Sequence, residues 1–336
     1  MIYAPIALFT YNRADHTQRA VESLLQNAEA KDSDLFIFSD GAKNEKAIKG
    51  VEDNRKYIHT VTGFKSVTIV EREKNWGLAN SLIAGITDVI SKYGRVIVVE
   101  DDLILSPYFL KFMNDGLEKY KDDDRIGTIT GFVPPIKETL PETFFLKYFQ
   151  CWGWATWKRA WDLLETDPRP LLKGLRFKKT KFDVGGGVGN YGNLYCQKVG
   201  LVDSWYLRYY ASLFLKDKLS LYPGRSVAVN DGLDGTGTHC GAGMKRSFEA
   251  HNTQTPIVLR EIEVREDERV YQIFKNYFLP SNTKRTMKSL YNQFKSFVRR
   301  LLYIDVNNAK TNSHKTPPPP HNPSHQAIPS YQSHDI

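Results

Sequence analysis

The first 131 residues alternate short apolar runs with amphipathic stretches. Runs rich in β-branched and aromatic residues predict strands at Ile6–Thr10, Leu35–Ser39, Val67–Glu71, Val96–Glu100 and Ile126–Thr130. Apolar residues at three- to four-residue spacing predict helices at His16–Asn27, Lys46–Thr60, Leu78–Tyr93 and Pro107–Tyr120. This alternation predicts an α/β fold with a mostly parallel, twisted sheet flanked by helices on both faces.

From Pro134 to Gly243 the pattern is less regular, and we expect a binding region for a second substrate there. It holds an aromatic block, Trp152–Trp157, and a predicted helix, Ser204–Leu215. Trp152 and Trp154 are the candidates for a ring-stacking surface, while most other rings of the block are expected in the core. Within the glycine-rich stretch 185–193, the run of glycines at 185–187 predicts a mobile loop rather than a phosphate cradle, because no strand precedes it and no helix clearly follows it.

Four regions are predicted from these changes in pattern. Residues 1–131 and 132–281 form two halves of one α/β domain, 282–304 a basic amphipathic helix, and 305–336 a tail. The tail becomes Pro-rich after Thr316 and is poor in apolar residues, so we expect it to be disordered.

The net charge of +8 is concentrated in the predicted helix 282–304, which carries six basic residues and no acid. The rest of the chain shares only +2, so the body does not suit a nucleic-acid backbone. Apolar residues recur along one side of this helix, from Met287 to Leu301. That combination indicates a helix lying on an anionic membrane surface, and the alternative is that the stripe packs on the protein's own body.

The cysteines and the apolar runs bear on location. Cys151, Cys196 and Cys240 are widely separated and odd in number, so they predict neither a disulfide framework nor a metal site. No stretch approaches the length of a membrane span, and no basic leader precedes the first apolar run. We therefore expect a cytoplasmic protein, placed through helix 282–304 at the inner face of the plasma membrane.

Polar residues follow several predicted strands directly. Strand 6–10 runs into Tyr11, Asn12 and Arg13, and strand 35–39 into Asp40 and Gly41. No G-x-G-x-x-G follows the first strand and no P-loop motif occurs, which argues against a dinucleotide dehydrogenase and a P-loop NTPase. Ligands of parallel sheets bind beyond the carboxyl ends of strands, so these residues are candidates for a binding site.

The strand Val96–Glu100 ends in three adjacent acids, Glu100, Asp101 and Asp102. Carboxylates at a buried strand end repel one another and raise their own pKa values unless a cation is present. Their hard oxygens suit Mg²⁺ or Mn²⁺, which would bridge to the phosphates of a substrate. The alternative is a solvated turn before a helix at Pro107, with Ser106 as its N-cap.

These motifs, taken in order, resemble those of bacterial glycosyltransferases of the GT-A fold. The segments that carry the resemblance are FTYNR (Phe9–Arg13), SDG (Ser39–Gly41), NWGLA (Asn75–Ala79), VVEDDL (Val98–Leu103) and WGWATW (Trp152–Trp157). The chain is similar, more distantly, to the N-glycan and O-mannose β-1,2-N-acetylglucosaminyltransferases. The resemblance spans roughly residues 1–245.

The resemblance implies a function for each matching residue. It places Arg13 on the diphosphate of a nucleotide sugar, Asp40 on the nucleobase, and Asp101 on the ribose or sugar. Asp102 would bind the metal directly, and Glu100 would face the transferred sugar as a catalytic residue. Thr10 and Asn75 complete the residues expected to bind the nucleotide sugar.

The resemblance also implies a catalytic base in the segment VDSW (Val202–Trp205). The family has two acids at this place, whereas this chain has Asp203 followed by Ser204. A carboxylate there could take the proton from an attacking acceptor hydroxyl, and the alternative is that Asp203 caps the following helix. His239, in a glycine-rich segment, is a candidate metal ligand or phosphate contact.

The sequence thus predicts an inverting, Mn²⁺- or Mg²⁺-dependent glycosyltransferase. It would move a sugar, such as GlcNAc or a related one, from a nucleotide sugar to a glycan or lipid-linked oligosaccharide during bacterial surface polysaccharide synthesis. The resemblance alone implies that the nucleotide is UDP. One alternative is a sugar-phosphate nucleotidyltransferase, which normally has a glycine-rich basic loop after its first strand that this chain lacks. The other is a non-catalytic glycan-binding or assembly protein on the same fold.

Overall fold

The computed structural model describes residues 3–232 and 252–279. Its strands are β1 (Ile6–Thr10), β2 (Asp34–Ser39), β3 (Ser66–Glu71), β4 (Arg95–Glu100), β5 (Leu103–Leu105), β6 (Ile126–Thr130), β7 (Thr143–Leu146), β8 (Trp154–Trp157), β9 (Leu219–Pro223) and β10 (Ala228–Asn230). Its α-helices are α1 (Ala14–Leu25), α2 (Glu45–Ile58), α3 (Leu78–Tyr93), α4 (Phe109–Lys119), α5 (Lys158–Trp161), α6 (Pro168–Leu175), α7 (Lys179–Phe182), α8 (Asn190–Lys198), α9 (Trp205–Leu215) and α10 (Glu268–Phe278).

Eight strands form one sheet in the order β3-β2-β1-β4-β8-β6-β9-β7. The half built from β3, β2, β1 and β4 is parallel throughout. On the other half, β8 and β7 run antiparallel to their neighbours, whereas β6 and β9 pair in parallel. A separate two-stranded ribbon joins β5 to β10. The predicted mostly parallel sheet is confirmed.

Both faces of the sheet are covered, as β4 illustrates. Its alternate residues Val96 and Val98 face one apolar core, which α3 and α9 share, while Ile97 and Val99 face a second core with α1 and α4. All four side chains are at most 1% exposed. Burying each contributes roughly 1.5–3 kcal/mol, so this strand is firmly fixed and its carboxyl end provides a rigid base for a site.

The predicted elements of the first 131 residues are all present, and no end shifts by more than two residues. The helix expected from Pro107 begins at Phe109, and the hydroxyl of Ser106 accepts a hydrogen bond from the backbone of Tyr108 at 3.2 Å. Helix α3 ends at Gly94, whose φ of 74° suits a residue without a Cβ.

The expectation that no helix follows the run of glycines at 185–187 is wrong. Helix α8 begins at Asn190, immediately after Gly189, which adopts a left-handed backbone conformation with φ of 79°. The side chain of Asp183 accepts a hydrogen bond from the backbone of Tyr191 at 2.8 Å and so holds the first turn. Weak apolar periodicity in the sequence hid this helix, because only a few of its side chains are buried.

Two further findings concern the length of the helices and the state of the cysteines. Among the helices of residues 3–232 and 252–279, none is long and apolar enough to cross a bilayer. Cys151 and Cys196 are free thiols.

Candidate active site

The carboxyl ends of β1, β2 and β4 meet at one edge of the sheet. Pairing of Phe9 with Glu100 and of Thr10 with Ser39 brings the three strands to an end at the same level. The polar residues that follow each strand are therefore neighbours in space. This edge is where parallel sheets bind their ligands.

A single arginine joins the first strand to the acidic cluster. Nη2 of Arg13 lies 2.6 Å from Oδ1 of Asp101 and 3.0 Å from Oδ2 of Asp102. The backbone amide of Tyr11 also donates to Asp101, at 3.4 Å. The structure thus brings Arg13, Asp101 and Asp102 together as the sequence predicted for adjacent strand ends.

Burial disturbs the charges of this cluster. It raises the pKa of Glu100 to about 8, with Asp102 and Asp101 adding to the effect and Arg13 opposing it. Burial also raises the pKa of Asp101 to about 6, although Arg13 opposes this. Burial alone would lower the pKa of Arg13, but Asp101 and Asp102 together outweigh it and raise that pKa. The carboxyl groups of Glu100, Asp101 and Asp102 therefore all interact with the guanidinium of Arg13.

The donor set fits a hard divalent cation. Burial is the main cause of the raised pKa of Glu100, and repulsion from Asp102 and Asp101 adds to it. A second positive charge at Asp102 would relieve that repulsion. Within residues 3–232 and 252–279, no group of three or more acids, histidines or cysteines is arranged as a complete metal cage. Enzymes that act on phosphorylated substrates commonly hold Mg²⁺ with one or two carboxylates, and the other ligands come from the phosphates and from water. A complete cage of protein ligands is therefore not required.

The raised pKa of Glu100 predicts how the metal-free protein responds to pH. Between about 4.5 and about 8 the folded protein keeps a proton on Glu100 that the unfolded chain loses, so stability falls as pH rises through this window. We expect the melting temperature of the chelator-treated protein to fall from about pH 5 to about pH 8, and to fall less in Glu100→Gln.

The control for this experiment is Glu52→Gln, at an exposed position of α2. It should melt in parallel with the wild type at every pH. Parallel curves for Glu100→Gln and the wild type would contradict the assigned pKa.

Asp40 and Asn75 also lie together, but the carboxylate of Asp40 is fully engaged. Its oxygens accept hydrogen bonds from the backbone of Gly41, Trp76 and Gly77 at 2.9 Å each and from the side chain of Asn75 at 3.1 Å. Four bonds fill the acceptor sites of a carboxylate. Asp40 thus ties the end of β2 to the segment before α3, and its contact with a nucleobase stays a prediction.

Thr10 is buried, and its hydroxyl accepts a hydrogen bond from Asn54 of α2 at 3.0 Å. Its carbonyl accepts from the backbone of Asp40 at 3.3 Å. Both contacts position the strand end, and a contact between Thr10 and a nucleotide sugar stays a prediction.

Asp203 is not the cap of the following helix. The hydroxyl of Ser204 accepts from the backbone of Leu207 at 3.3 Å and caps α9 instead. Asp203 is 61% exposed and forms an ion pair with Arg208 at 2.9 Å. This leaves its carboxylate open to solvent, which a base acting on an incoming acceptor requires.

The start of α9 is anchored near the acidic strand end. The ring of Trp205 stacks on that of Trp154 with centroids 5.4 Å apart, and Trp154 pairs with Val98 of β4. Val98 precedes Glu100 by two residues. No described contact joins Asp203 to the acidic cluster directly, so its action as the base stays a prediction.

The aromatic block is mainly core. Trp154 is completely buried, so the expectation that it offers a stacking surface for a sugar is wrong. Its neighbour Trp152 is partly exposed and packs edge-on against Phe132 with centroids 4.5 Å apart. Trp152 alone remains a candidate for the acceptor side.

Gly232, which follows β10, belongs to the glycine-rich segment that the sequence singles out around His239, but its contact with Asp102 was not predicted. A Cβ on Gly232 would lie 2.5 Å from Oδ2 of Asp102 and 3.0 Å from Nη1 of Arg13. The preceding residue, Asp231, donates its backbone N–H to the carbonyl of Asp102 at 2.7 Å and pairs with Arg19 of α1 at 2.7 Å. Only a glycine lets the chain pass this close to the acidic cluster.

Sequence reasoning also missed Trp76 and Arg72 beside Asp40. The Trp76 ring is 44% exposed, and the guanidinium carbon of Arg72 lies 3.9 Å from its centroid. Burial lowers the pKa of Arg72. The tryptophan inside the segment NWGLA was the signal in the sequence that could have identified this residue. The remaining predicted residue, His239, lies outside the described residues.

Comparison with known proteins identifies the family. The model of "Glycosyl transferase family 2" matches residues 6–189, more than half of the chain. No curated protein sequence matches the chain.

Two similar solved structures are a mannosyltransferase, PcManGT, from Pyrobaculum calidifontis in complex with GDP-Man and Mn²⁺, and TarS from S. aureus. The first is 16% identical over 39% of this chain and 36% of its own, with a TM-score of 0.30. The second is 15% identical over 41% of this chain and 25% of its own, with a TM-score of 0.29. This chain therefore covers well under half the length of either protein, and at these TM-scores neither informs its substrate.

The matched residues include β1, β2, β3 and β4 with the whole acidic cluster. The chain has an α/β fold with a mostly parallel sheet, and it belongs to glycosyl transferase family 2.

Proposed function

We propose that this protein is an inverting, metal-dependent glycosyltransferase that uses a UDP sugar. The observation that carries the proposal is the contact of Arg13 with Asp101 and Asp102 at the carboxyl ends of β1 and β4. It sets a cation beside a carboxylate whose oxygens suit a divalent metal, and this arrangement would support a diphosphate leaving group.

Arg13 and Asp102 would share the diphosphate. Nη1 of Arg13 is buried and has no hydrogen-bond partner among the described residues. An unpaired buried donor is costly, so a diphosphate oxygen reaching it would be favoured. Asp102 would hold Mn²⁺ or Mg²⁺, which neutralises charge on the departing diphosphate, with His239 as a candidate further ligand.

The remaining residues would orient the substrates. Asp101 would bind the ribose or sugar, and Glu100 would face the transferred sugar. Asp40 and Asn75 would form the nucleobase end of the site with Thr10 at its base. Asp203 would take the proton of the acceptor hydroxyl as it attacks the anomeric carbon, which inverts the configuration there.

The acceptor would be a glycan or lipid-linked oligosaccharide of bacterial surface polysaccharide, such as lipopolysaccharide or capsule. GlcNAc or a related sugar is the proposed group transferred. The basic amphipathic segment 282–304 lies outside the described residues, and its sequence supports contact with an anionic membrane at the cytoplasmic face.

A panel of nucleotide sugars tests this function. With Mn²⁺ and a suitable acceptor, one UDP sugar should release UDP, and nuclear magnetic resonance should show the opposite anomeric configuration in the product. A product that retains the anomeric configuration would rule out the inverting mechanism. A preference for a sugar linked to GDP or another nucleotide would rule out UDP.

Gly232→Ala should damage the site without unfolding the protein. The added Cβ would force Asp102 and Arg13 from their positions, and a displacement near 1 Å costs on the order of 10²-fold in kcat/KM. The matched control is Gly192→Ala in α8, where a Cβ would meet nothing within 4 Å. Equal kcat/KM for both variants would show that the approach of Gly232 to Asp102 is unimportant.

A further inference from the structure

Helices α6, α7 and α8 lie between β8 and β9 and carry an unusual surface. Residues 168–201 contain seven basic residues and one acid, a net charge of +6. The acid, Asp183, accepts a hydrogen bond from the backbone of α8. Two of the seven cations pair with acids outside this range, Arg169 with Asp167 at 2.7 Å and Lys181 with Glu266 at 2.6 Å, which leaves five. This excess is separate from that of segment 282–304.

The centre of this surface is the run Arg176–Lys181, in which all six side chains are exposed. Phe177 is 88% exposed, and the guanidinium carbon of Arg176 lies 5.1 Å from its ring centroid. Lys178 and Lys179 form no salt bridge with any described residue, nor does Arg176. The Phe177 side chain therefore lies almost entirely in water, beside the guanidinium of Arg176 and close in sequence to two lysines without a salt bridge to any described residue.

Helix α8 extends the apolar part of this surface. It packs against α6 and α7. Tyr195, Val199 and Leu201 are 54%, 43% and 59% exposed. Lys198 lies between them, with its Nζ 5.7 Å from the Tyr195 ring centroid. We call the exposed residues of 173–201 the basic-aromatic surface.

We propose that the basic-aromatic surface docks on an anionic lipid bilayer. Aromatic and aliphatic side chains insert at the level of the lipid headgroups, while lysine and arginine pair with lipid phosphates. A soluble anionic glycan would explain the cations, and a sugar could stack on Phe177. Exposed Val199 and Leu201, however, offer neither a flat ring nor a hydrogen bond to a sugar, so the combination favours a bilayer.

This docking has a consequence for catalysis, which rests on the proposed function. Leu201 precedes Asp203 by two residues, so the proposed base would lie beside the membrane surface. An acceptor confined to that membrane would then meet the base without leaving the bilayer. Vesicle binding itself does not depend on any transfer activity.

The test uses the full chain and vesicles of phosphatidylcholine and phosphatidylglycerol in a two-to-one ratio. Phe177→Ser/Lys178→Glu/Lys179→Glu should bind at least about tenfold more weakly than the wild type in flotation. The matched control, Ile48→Ser/Lys31→Glu/Lys46→Glu, makes the same changes at exposed positions elsewhere and should bind within about twofold of the wild type. Unchanged melting temperatures establish that both variants fold.

Three results would overturn the proposal. The first is that the wild type fails to bind vesicles, and the second is that the two triple variants lose binding equally. The third is that the basic-aromatic variant binds as the wild type does, because segment 282–304 alone is then sufficient. Dextran sulfate separates a bilayer from a soluble polyanion. Phe177→Ser alone should weaken binding to vesicles but not to dextran sulfate, and an equal loss on both would refute the bilayer.

Discussion

Asp102→Asn should abolish metal-dependent binding of the nucleotide sugar and lower turnover by on the order of 10³-fold. The substitution removes the carboxylate that would hold the metal, yet keeps a side chain of the same shape beside Arg13. Stabilisation by UDP plus Mn²⁺ in a thermal-shift experiment should be large in the wild type and absent in the variant.

The fold should survive this change, because it removes one charge from a cluster whose acids repel one another. The matched control is Asp115→Asn, which removes a carboxylate that pairs with Lys111 on α4, away from the acidic cluster. It should keep the full thermal shift. An equal shift in Asp102→Asn would remove this residue from the metal site.

Asp203→Asn should retain binding of the nucleotide sugar and lose transfer by on the order of 10²-fold or more. The amide cannot accept the proton of the acceptor hydroxyl, whereas the contacts of Arg13 and Asp102 are untouched. Because Ser204 caps α9, the substitution should leave the helix and the melting temperature unchanged. Calorimetry of binding and initial rates of transfer separate the two steps.

The control for Asp203 is Asp162→Asn, another exposed carboxylate paired with a cation, Lys158. Its turnover should equal that of the wild type. Near-normal turnover of Asp203→Asn would show that Asp203 is not the base. Its function would then be limited to the surface ion pair with Arg208.

The parallel half of the sheet was predictable because its signals are local. The strand at Val96–Glu100 is apolar on both faces, so its position and its acidic end could be inferred without any contact. Proximity of Arg13 to Asp101 followed as well, since adjacent parallel strands end at one edge.

Features that depend on distant contacts were not predictable. Gly232 lies against Asp102, 130 residues earlier in the chain, through the pairing of β10 with β5. Likewise, the complete burial of Trp154 follows from packing against Trp205 and Trp161, which no local pattern specifies. The filled hydrogen bonds of Asp40 depend on the segment before α3, which folds back from another strand.

The central claim is that a divalent metal and a nucleoside diphosphate meet at Asp102. Electron paramagnetic resonance of Mn²⁺ tests it directly, because Mn²⁺ bound to protein loses the sharp signal of the free ion. With the wild type and UDP together, the free signal should fall well below that seen with UDP alone, and Asp102→Asn should not produce this fall. A free signal that the wild type and UDP leave unchanged, or that Asp102→Asn lowers equally, would contradict the claim.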